Sequence, residues 1–459
     1  MRRIAVGLTL PSMRPFRTLS LNHRRTRYLR AVSLRWQRRA VFVLGGIVVG
    51  ATAVGLALAA DWASAVFRAA LAGRVYVALA VTPMGFAASS WLARRYFPNS
   101  GGSGIPQAIA ARQLLGTAAR ERLVSIRTAL GKIALLMLGL LCGASIGREG
   151  PTVQVGAAVM FAVGRLSPRR QPGLILAGAG AGVSAAFNTP LAGIVFGIEE
   201  MSRSFEARTS GIIIGAVIAA GITSLALQGD YTYFGTSHAA LRGVEGWLAV
   251  PALGVLGGLL GGVFSRVVIL FGGPFPGRVG AAIKRRPTLF AALCGLAVAL
   301  CGLLSDGSVF GTGYAQARAL VQGEGGIPAA FGILKLVATI ASSISGIPGG
   351  IFAPSLAVGA GLGANLAVLL PGAAPQALVV LGMVAYFAGV VQAPITAFVI
   401  VAEMTNDHAL VVPLMLTALI AYAASRLVCR EGIYHALAHN FVRAEALSHQ
   451  PVTTPASTQ

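Results

Sequence analysis

Along most of its length this chain repeats one pattern, a run of apolar residues closed by a short stretch of Arg, Gly and Pro. The runs cover residues 41–60, 75–93, 133–146, 153–163, 174–187, 212–227, 247–271, 289–304, 355–370, 377–391 and 411–424, with Arg266 interrupting the seventh. Several are shorter than the roughly 20 residues that a helix needs to cross hydrocarbon. Short apolar runs in such number predict broken or tilted helices. The fold class is therefore an all-α polytopic membrane protein.

Composition agrees with that reading. The 459 residues are 55% hydrophobic and only 11% charged. With Gly counted in and Tyr left out, the apolar share is about two thirds, against about 45–50% for soluble domains. Such a chain cannot cover itself with polar surface, which excludes a soluble or nucleic-acid-binding role despite a net charge of +23. The basic residues lie mainly between apolar runs. Residues 1–40 hold eleven Arg and no acid, and residues 112–127, 165–170 and 278–286 are basic too, whereas 229–246 and 305–326 are not. By the positive-inside rule the N-terminus and the 278–286 loop are cytoplasmic. An Arg-rich targeting peptide is the weaker reading of the start. The organisation expected is a basic cytoplasmic segment (1–40), a membrane domain (41–442) and a short polar tail (443–459). Cys142, Cys294, Cys301 and Cys429 lie in or beside apolar runs and read as packing residues.

The membrane domain contains two related halves, about 41–227 and 247–442. A shift of 203 superposes Lys132 on Lys335, Gly143 on Gly346, Gly147 on Gly350 and Pro151 on Pro354. A shift of 209 takes Gly102-Ser103-Gly104 onto Gly311-Thr312-Gly313, and one of 204 takes Pro190 and Glu199 onto Pro394 and Glu403. In transporters built from repeats, the substrate site lies near the midplane, where interrupted helices of the two halves meet.

Three Gly/Pro motifs mark such interruptions: Gly102-Ser103-Gly104-Ile105-Pro106, Gly147-Arg148-Glu149-Gly150-Pro151 and Gly350-Ile351-Phe352-Ala353-Pro354. Each suits a helix that starts partway through the bilayer with its free N–H groups aimed at an anion. Glu149 and Arg148 are the only charges between Lys132 and Arg165. A charge inside the membrane costs about 2.5–3.5 kcal/mol on insertion scales, which makes Glu149 a functional candidate. A structural Arg148–Glu149 pair is the alternative, disfavoured because adjacent helical side chains diverge. Ser103 can donate its hydroxyl to an anion or serve as an ordinary helix cap. Phe352 on its own reads as core, and Tyr434 as an interfacial tyrosine. Glu199 and Glu200 close an uncharged run that starts at Gln171, and Glu403 closes another that starts at Leu336. Two carboxylates in that position suit a proton entry point or a solvated helix end, whereas Glu403 suits a structural helix-end contact.

These motifs resemble the signature set of the CLC family of chloride channels and transporters, over about residues 41–442. The resemblance implies an inverted relation between the halves and a homodimer with one pathway per subunit. It implies that Ser103, with Gly104 and Ile105, coordinates chloride together with Ile351, Phe352 and the Tyr434 hydroxyl. Glu149 is then the gating glutamate that carries the external proton. Glu200 is the internal proton glutamate, with Glu199 as a helper that admits water. A glutamate at the Glu200 position marks exchangers, and serine rather than proline at position 103 marks chloride rather than nitrate preference. The expected function is a proton-coupled chloride antiporter in a bacterial inner membrane. A passive chloride channel, or an exchanger of another anion such as nitrate, is the alternative. Two departures stand out. Gln107 replaces a glutamate that some members pair with a lysine near Lys132, and the Arg-rich start is unusually long. The polar tail is too short for the paired nucleotide-binding modules attached to many members.

Other chemistries fare poorly. Gly101-Gly102-Ser103-Gly104 and Gly143-Ala144-Ser145-Ile146-Gly147 fit serine-nucleophile patterns, yet no histidine is centred in an apolar run to act as base. His435 and His439 are four residues apart without an accompanying carboxylate or cysteine cluster. Neither enzymatic activity nor a metal or cofactor is expected.

Overall fold

The computed structural model describes residues 19–448 apart from 203–206, 230–231, 236–238, 242 and 274. Two compact units divide the chain, Met1–Val41 and Phe42–Gln459. The helices of the first repeat half are α1 (Leu19–Leu71), α2 (Ala78–Tyr96), α3 (Ile105–Gln113), α4 (Thr117–Val124), α5 (Ile126–Leu141), α6 (Glu149–Val163), α7 (Gln171–Phe187), α8 (Pro190–Phe196) and α9 (Ala207–Gln228). The second half holds α10 (Gly243–Gly272), α11 (Gly277–Arg285), α12 (Pro287–Leu304), α13 (Tyr314–Gln322), α14 (Phe331–Ile344), α15 (Phe352–Leu369), α16 (Pro375–Val391), α17 (Pro394–Thr405), α18 (Val411–Val428) and α19 (Ile433–Ser448). Among the described residues no strand forms, only two isolated backbone bridges.

The repeat read from the residues is a repeat of elements. Helices α6 and α15 begin at Glu149 and Phe352, 203 residues apart, and α8 and α17 at Pro190 and Pro394, 204 apart. The antiparallel bridge joins Gly147 to Gly350, the very residues that the shift of 203 superposes. Equivalent residues that pair antiparallel are related locally by a two-fold axis. The halves are therefore inverted at their seam.

Among the described residues, seven stretches are long and apolar enough to cross a membrane, including Ala40–Leu71, Gly243–Gly272 and Pro287–Leu304. Their outer faces carry exposed Leu58, Trp62, Leu293 and Leu300, a surface suited to lipid. Helices α7 and α16 are the opposite case, apolar and buried along nearly their whole length. They pack on α6 and α15 by close backbone approach. A methyl at Gly156 would strike the carbonyl of Gly178, and one at the repeat-related Gly359 would strike that of Gly382. Small residues at such crossings let membrane helices gain contact without a hydrophobic driving force.

Helix α6 has 15 residues, about 22 Å at 1.5 Å per residue, too short for a hydrocarbon core of about 30 Å. It starts inside the protein, as its Gly/Pro motif requires. Other expectations shift. The run at 133–146 is a helix from Ile126 to Leu141, closed where Gly143 turns the chain at a φ of +79°. Arg266 does not interrupt α10, and its guanidinium reaches the Val428 carbonyl at 3.5 Å. Helices α14 and α17 were not among the expected runs.

Candidate functional site

The three Gly/Pro motifs converge through their backbones. The Gly102 N–H donates to Ile347 O at 3.1 Å, and Gly349 N–H donates back to Gly102 O at 3.1 Å. The Gly147 N–H donates to Gly350 O at 2.7 Å, and Gly350 N–H returns the bond at 2.8 Å. Four hydrogen bonds thus place the starts of α3, α6 and α15 side by side. The approach tolerates no extra atom: a Cβ on Gly150 would collide with the Ser103 hydroxyl. Gly104 caps α3 at a φ of +101°, and Gly313 caps the repeat-related α13 at +85°, a conformation that favours glycine.

Glu149, the first residue of α6, is fully buried. Its Oε2 accepts from the Ala353 N–H at 3.4 Å, in the first turn of α15. Its Oε1 accepts from the Tyr314 hydroxyl at 2.7 Å. The carboxylate therefore sits on a helix N-terminus that would otherwise favour a free anion. Arg148 does not take it as principal partner. The guanidinium donates to Ala57 O at 2.7 Å, pairs with Asp61 at 2.9 Å and lies over the rings of Tyr233 and Tyr314, with Glu149 4.0 Å away.

The buried hydroxyls of Ser103 and Tyr434 have no hydrogen-bond partner in the protein other than each other. The two lie next to each other, and Tyr434 is also within electrostatic reach of both Glu149 and Glu200. The Tyr434 ring packs 6.0 Å from that of Phe352, which itself stacks on Phe187 and meets Phe196 and Phe387 edge-on. Ser103 makes no cap bond to α3, so the ordinary helix-cap reading fails. Leaving a buried hydroxyl without a partner costs about 1–3 kcal/mol. Two converging ones beside a helix N-terminus form a setting in which an anion can accept from both. Gly104, Ile105 and Ile351 lie on the same seam, buried.

Two buried lysines hold the loops that form this seam. Lys132 Nζ donates to the carbonyls of Gly101 and Gly102 at 3.2 and 2.7 Å, and Lys335 Nζ to those of Val309 and Gly311 at 2.8 and 2.7 Å. Gln107 shares the Gly101 carbonyl at 2.7 Å. The Gln107 amide and the Lys132 ammonium thus converge on one backbone carbonyl, and both tie down the loop.

The three glutamates away from the seam divide into two groups. Glu199 accepts from the Ile395 and Thr396 N–H groups at 3.1 and 2.6 Å, and from the Thr396 hydroxyl at 2.7 Å. Glu403 accepts from the Leu191 and Ala192 N–H groups at 3.2 and 2.7 Å. Each half thus caps a helix of the other. Glu403 has the structural helix-end role expected of it, and the Glu199 carboxylate is engaged in the same way. Glu200 differs. It lies buried in a π-helical turn, Gly197–Ser202, with the imidazole of His435 beside it.

Tyr314 is the site residue that the motif reading missed. The signal was in the repeat: Gly311-Thr312-Gly313 superposes on Gly102-Ser103-Gly104, so the residue after it starts the equivalent helix on the same seam.

A family model described as voltage gated chloride channel matches residues 84–426. The chain is 32% identical over 421 residues to the H(+)/Cl(-) exchange transporter ClcA of Yersinia pestis bv. Antiqua (strain Angola), covering 85% of each. It is 30% identical over 437 residues to the transporter of the same name from Citrobacter koseri, covering 90% of this chain and 89% of the relative. Among solved structures, a slow cyanobacterial Cl-/H+ antiporter superposes with a TM-score of 0.74 at 24% identity, covering 90% of this chain and 99% of that one. A CLC-type fluoride/proton antiporter superposes with a TM-score of 0.73 at 22% identity, over 87% and 97%.

Proposed function

The chain belongs to the voltage gated chloride channel family, and from that premise we propose that it is an antiporter that exchanges chloride for protons across the membrane. One observation carries this reading: a buried carboxylate, Glu149, occupies the N-terminus of α15, where an anion would bind. Proton and chloride then compete through one group. Protonated, Glu149 gives up its charge and leaves the helix terminus; chloride takes the place. Deprotonated, it returns and excludes the ion.

On the inner side, chloride accepts from the Ser103 and Tyr434 hydroxyls, with the first-turn N–H groups of Ile351 and Phe352 close by. The two hydroxyls, with no other protein partner, support this assignment. Protons reach Glu149 from Glu200 over water, past Tyr434, which is within electrostatic reach of both carboxylates. The Ser103 hydroxyl favours chloride over nitrate. The protein works in a bacterial inner membrane with its N-terminus cytoplasmic, as a homodimer with one complete pathway in each subunit.

Purified protein in liposomes tests this directly. Under an outward chloride gradient, with the membrane voltage clamped, external pH is recorded. Uphill proton entry as chloride leaves is expected. Rapid chloride efflux without proton movement would make the protein a passive channel, and proton coupling to nitrate in preference to chloride would correct the substrate.

A further inference from the structure

The π-helical turn Gly197–Ser202 that carries Glu200 is gripped from two sides. On one side Arg112, near the end of α3, donates to the carbonyls of Met201 and Ser202 at 2.9 and 3.4 Å and to the Ser202 hydroxyl at 3.1 Å. On the other, His435 Nε2 lies 2.7 Å from the Glu200 carbonyl oxygen. A carbonyl only accepts, so that nitrogen carries a proton and donates it. The same Nε2 is 3.8 Å from Glu200 Oε1.

Of the two gripping helices, α19 bears the Tyr434 hydroxyl and α3 follows the Ser103 hydroxyl by two residues. Helix α3 begins just after Ser103, and α19 begins with Ile433 and Tyr434. They also pack against each other. Consecutive residues, Tyr434 and His435, therefore carry a hydroxyl facing the inner anion position and the imidazole that holds the proton glutamate. A π-turn is an irregular, locally strained element that often marks a functional site. Its backbone carbonyls are freer than those of a regular helix, and here they are taken up by side chains from elsewhere.

We propose that His435 is a positioning residue that fixes the Glu200 carboxylate relative to α19, so that the inner chloride position and the internal proton site move as one unit. This rests on the reading of Glu200 as the internal proton group. The imidazole does not touch chloride. It donates to the backbone of Glu200 and lies along its carboxylate, and so decides where that carboxylate points when α19 shifts.

Chloride-driven proton uptake in liposomes, read as protons moved per chloride, tests the assignment with His435→Leu, His435→Gln and Glu200→Gln. His435→Leu should retain chloride turnover and lose about fivefold in the proton-to-chloride ratio, the effect of one net hydrogen bond. His435→Gln, whose amide reaches as far as Nε2 and donates, should restore the ratio. If His435→Leu does not accumulate in membranes, His435→Phe keeps a planar ring without the donor and reads the same ratio. An unchanged ratio in the Leu or Phe variant, or no rescue by Gln, overturns the proposal. Glu200→Gln separates the two layers. If it uncouples protons while His435→Leu does not, the positioning role alone is wrong; if it leaves coupling intact, the Glu200 reading falls and takes this proposal with it.

Discussion

Removing one hydroxyl, in Tyr314→Phe, isolates what holds the Glu149 carboxylate in its seat. The Tyr314 phenol donates to Glu149 Oε1 at 2.7 Å in a buried setting. Its ring packs on Tyr233 and Phe234, at centroid distances of 4.4 and 5.7 Å, and phenylalanine keeps both contacts. A hydrogen bond to a charged group is worth about 1.5–3 kcal/mol net. Water entering the space left by the hydroxyl recovers part of this, so we take the lower end, about tenfold at about 1.4 kcal/mol per decade. Under the proposed competition of chloride and carboxylate for one helix terminus, weakening the seated carboxylate strengthens chloride by the same factor. Calorimetric titration of chloride into the purified protein at alkaline pH, where Glu149 is ionised, should show roughly tenfold tighter binding in Tyr314→Phe. The same substitution in a Glu149→Gln background should change nothing, since no charged competitor remains. An unchanged affinity, or an equal change in both backgrounds, would refute the competition argument.

Replacing Glu149 with alanine should leave chloride flux and abolish proton transport; uphill proton movement by that variant would end the mechanism proposed here. Chloride affinity of the unmodified protein should weaken as pH rises, because the deprotonated form is the competitor, and the dependence should flatten in Glu149→Gln when titrated across the same pH range. Ser103→Ala removes one of the two hydroxyls proposed to face the anion and should lower chloride affinity about tenfold or more, measured by the same titration. Glu403→Gln removes the charge at the N-terminus of α8 and should lower stability by about 0.5–2 kcal/mol, read as a lower thermal midpoint with the proton-to-chloride ratio unchanged.

Much of this architecture was legible because glycine and proline punctuate the chain. Three motifs marked three helix starts, and the shift of 203 residues paired Gly147 with Gly350, which the backbone bridge joins. Short apolar runs announced broken helices. What stayed hidden depended on side-chain reach across the fold. Tyr314 has no charge and follows an imperfect copy of the serine motif, so composition gave it no weight. Helix α14 escaped notice because Lys335 interrupts its apolar run, yet that lysine is buried and satisfied by loop carbonyls. Nor does spacing reveal that Glu199 and Glu403 exchange partners between halves, since the donors are backbone amides that any sequence supplies.

That exchange bears on how the chain is made. The Ala192 N–H is 211 residues away from the Glu403 carboxylate that receives it. At about 5–20 residues per second, the ribosome needs roughly 10–40 s to synthesise that interval. During this time α8 has emerged without the group that completes its first turn, in a medium where an unsatisfied donor is costly. Gly147 likewise waits for Gly350. The first half must therefore linger at the insertion machinery in an open form, sheltered by water or by another protein, until the second half arrives to close it.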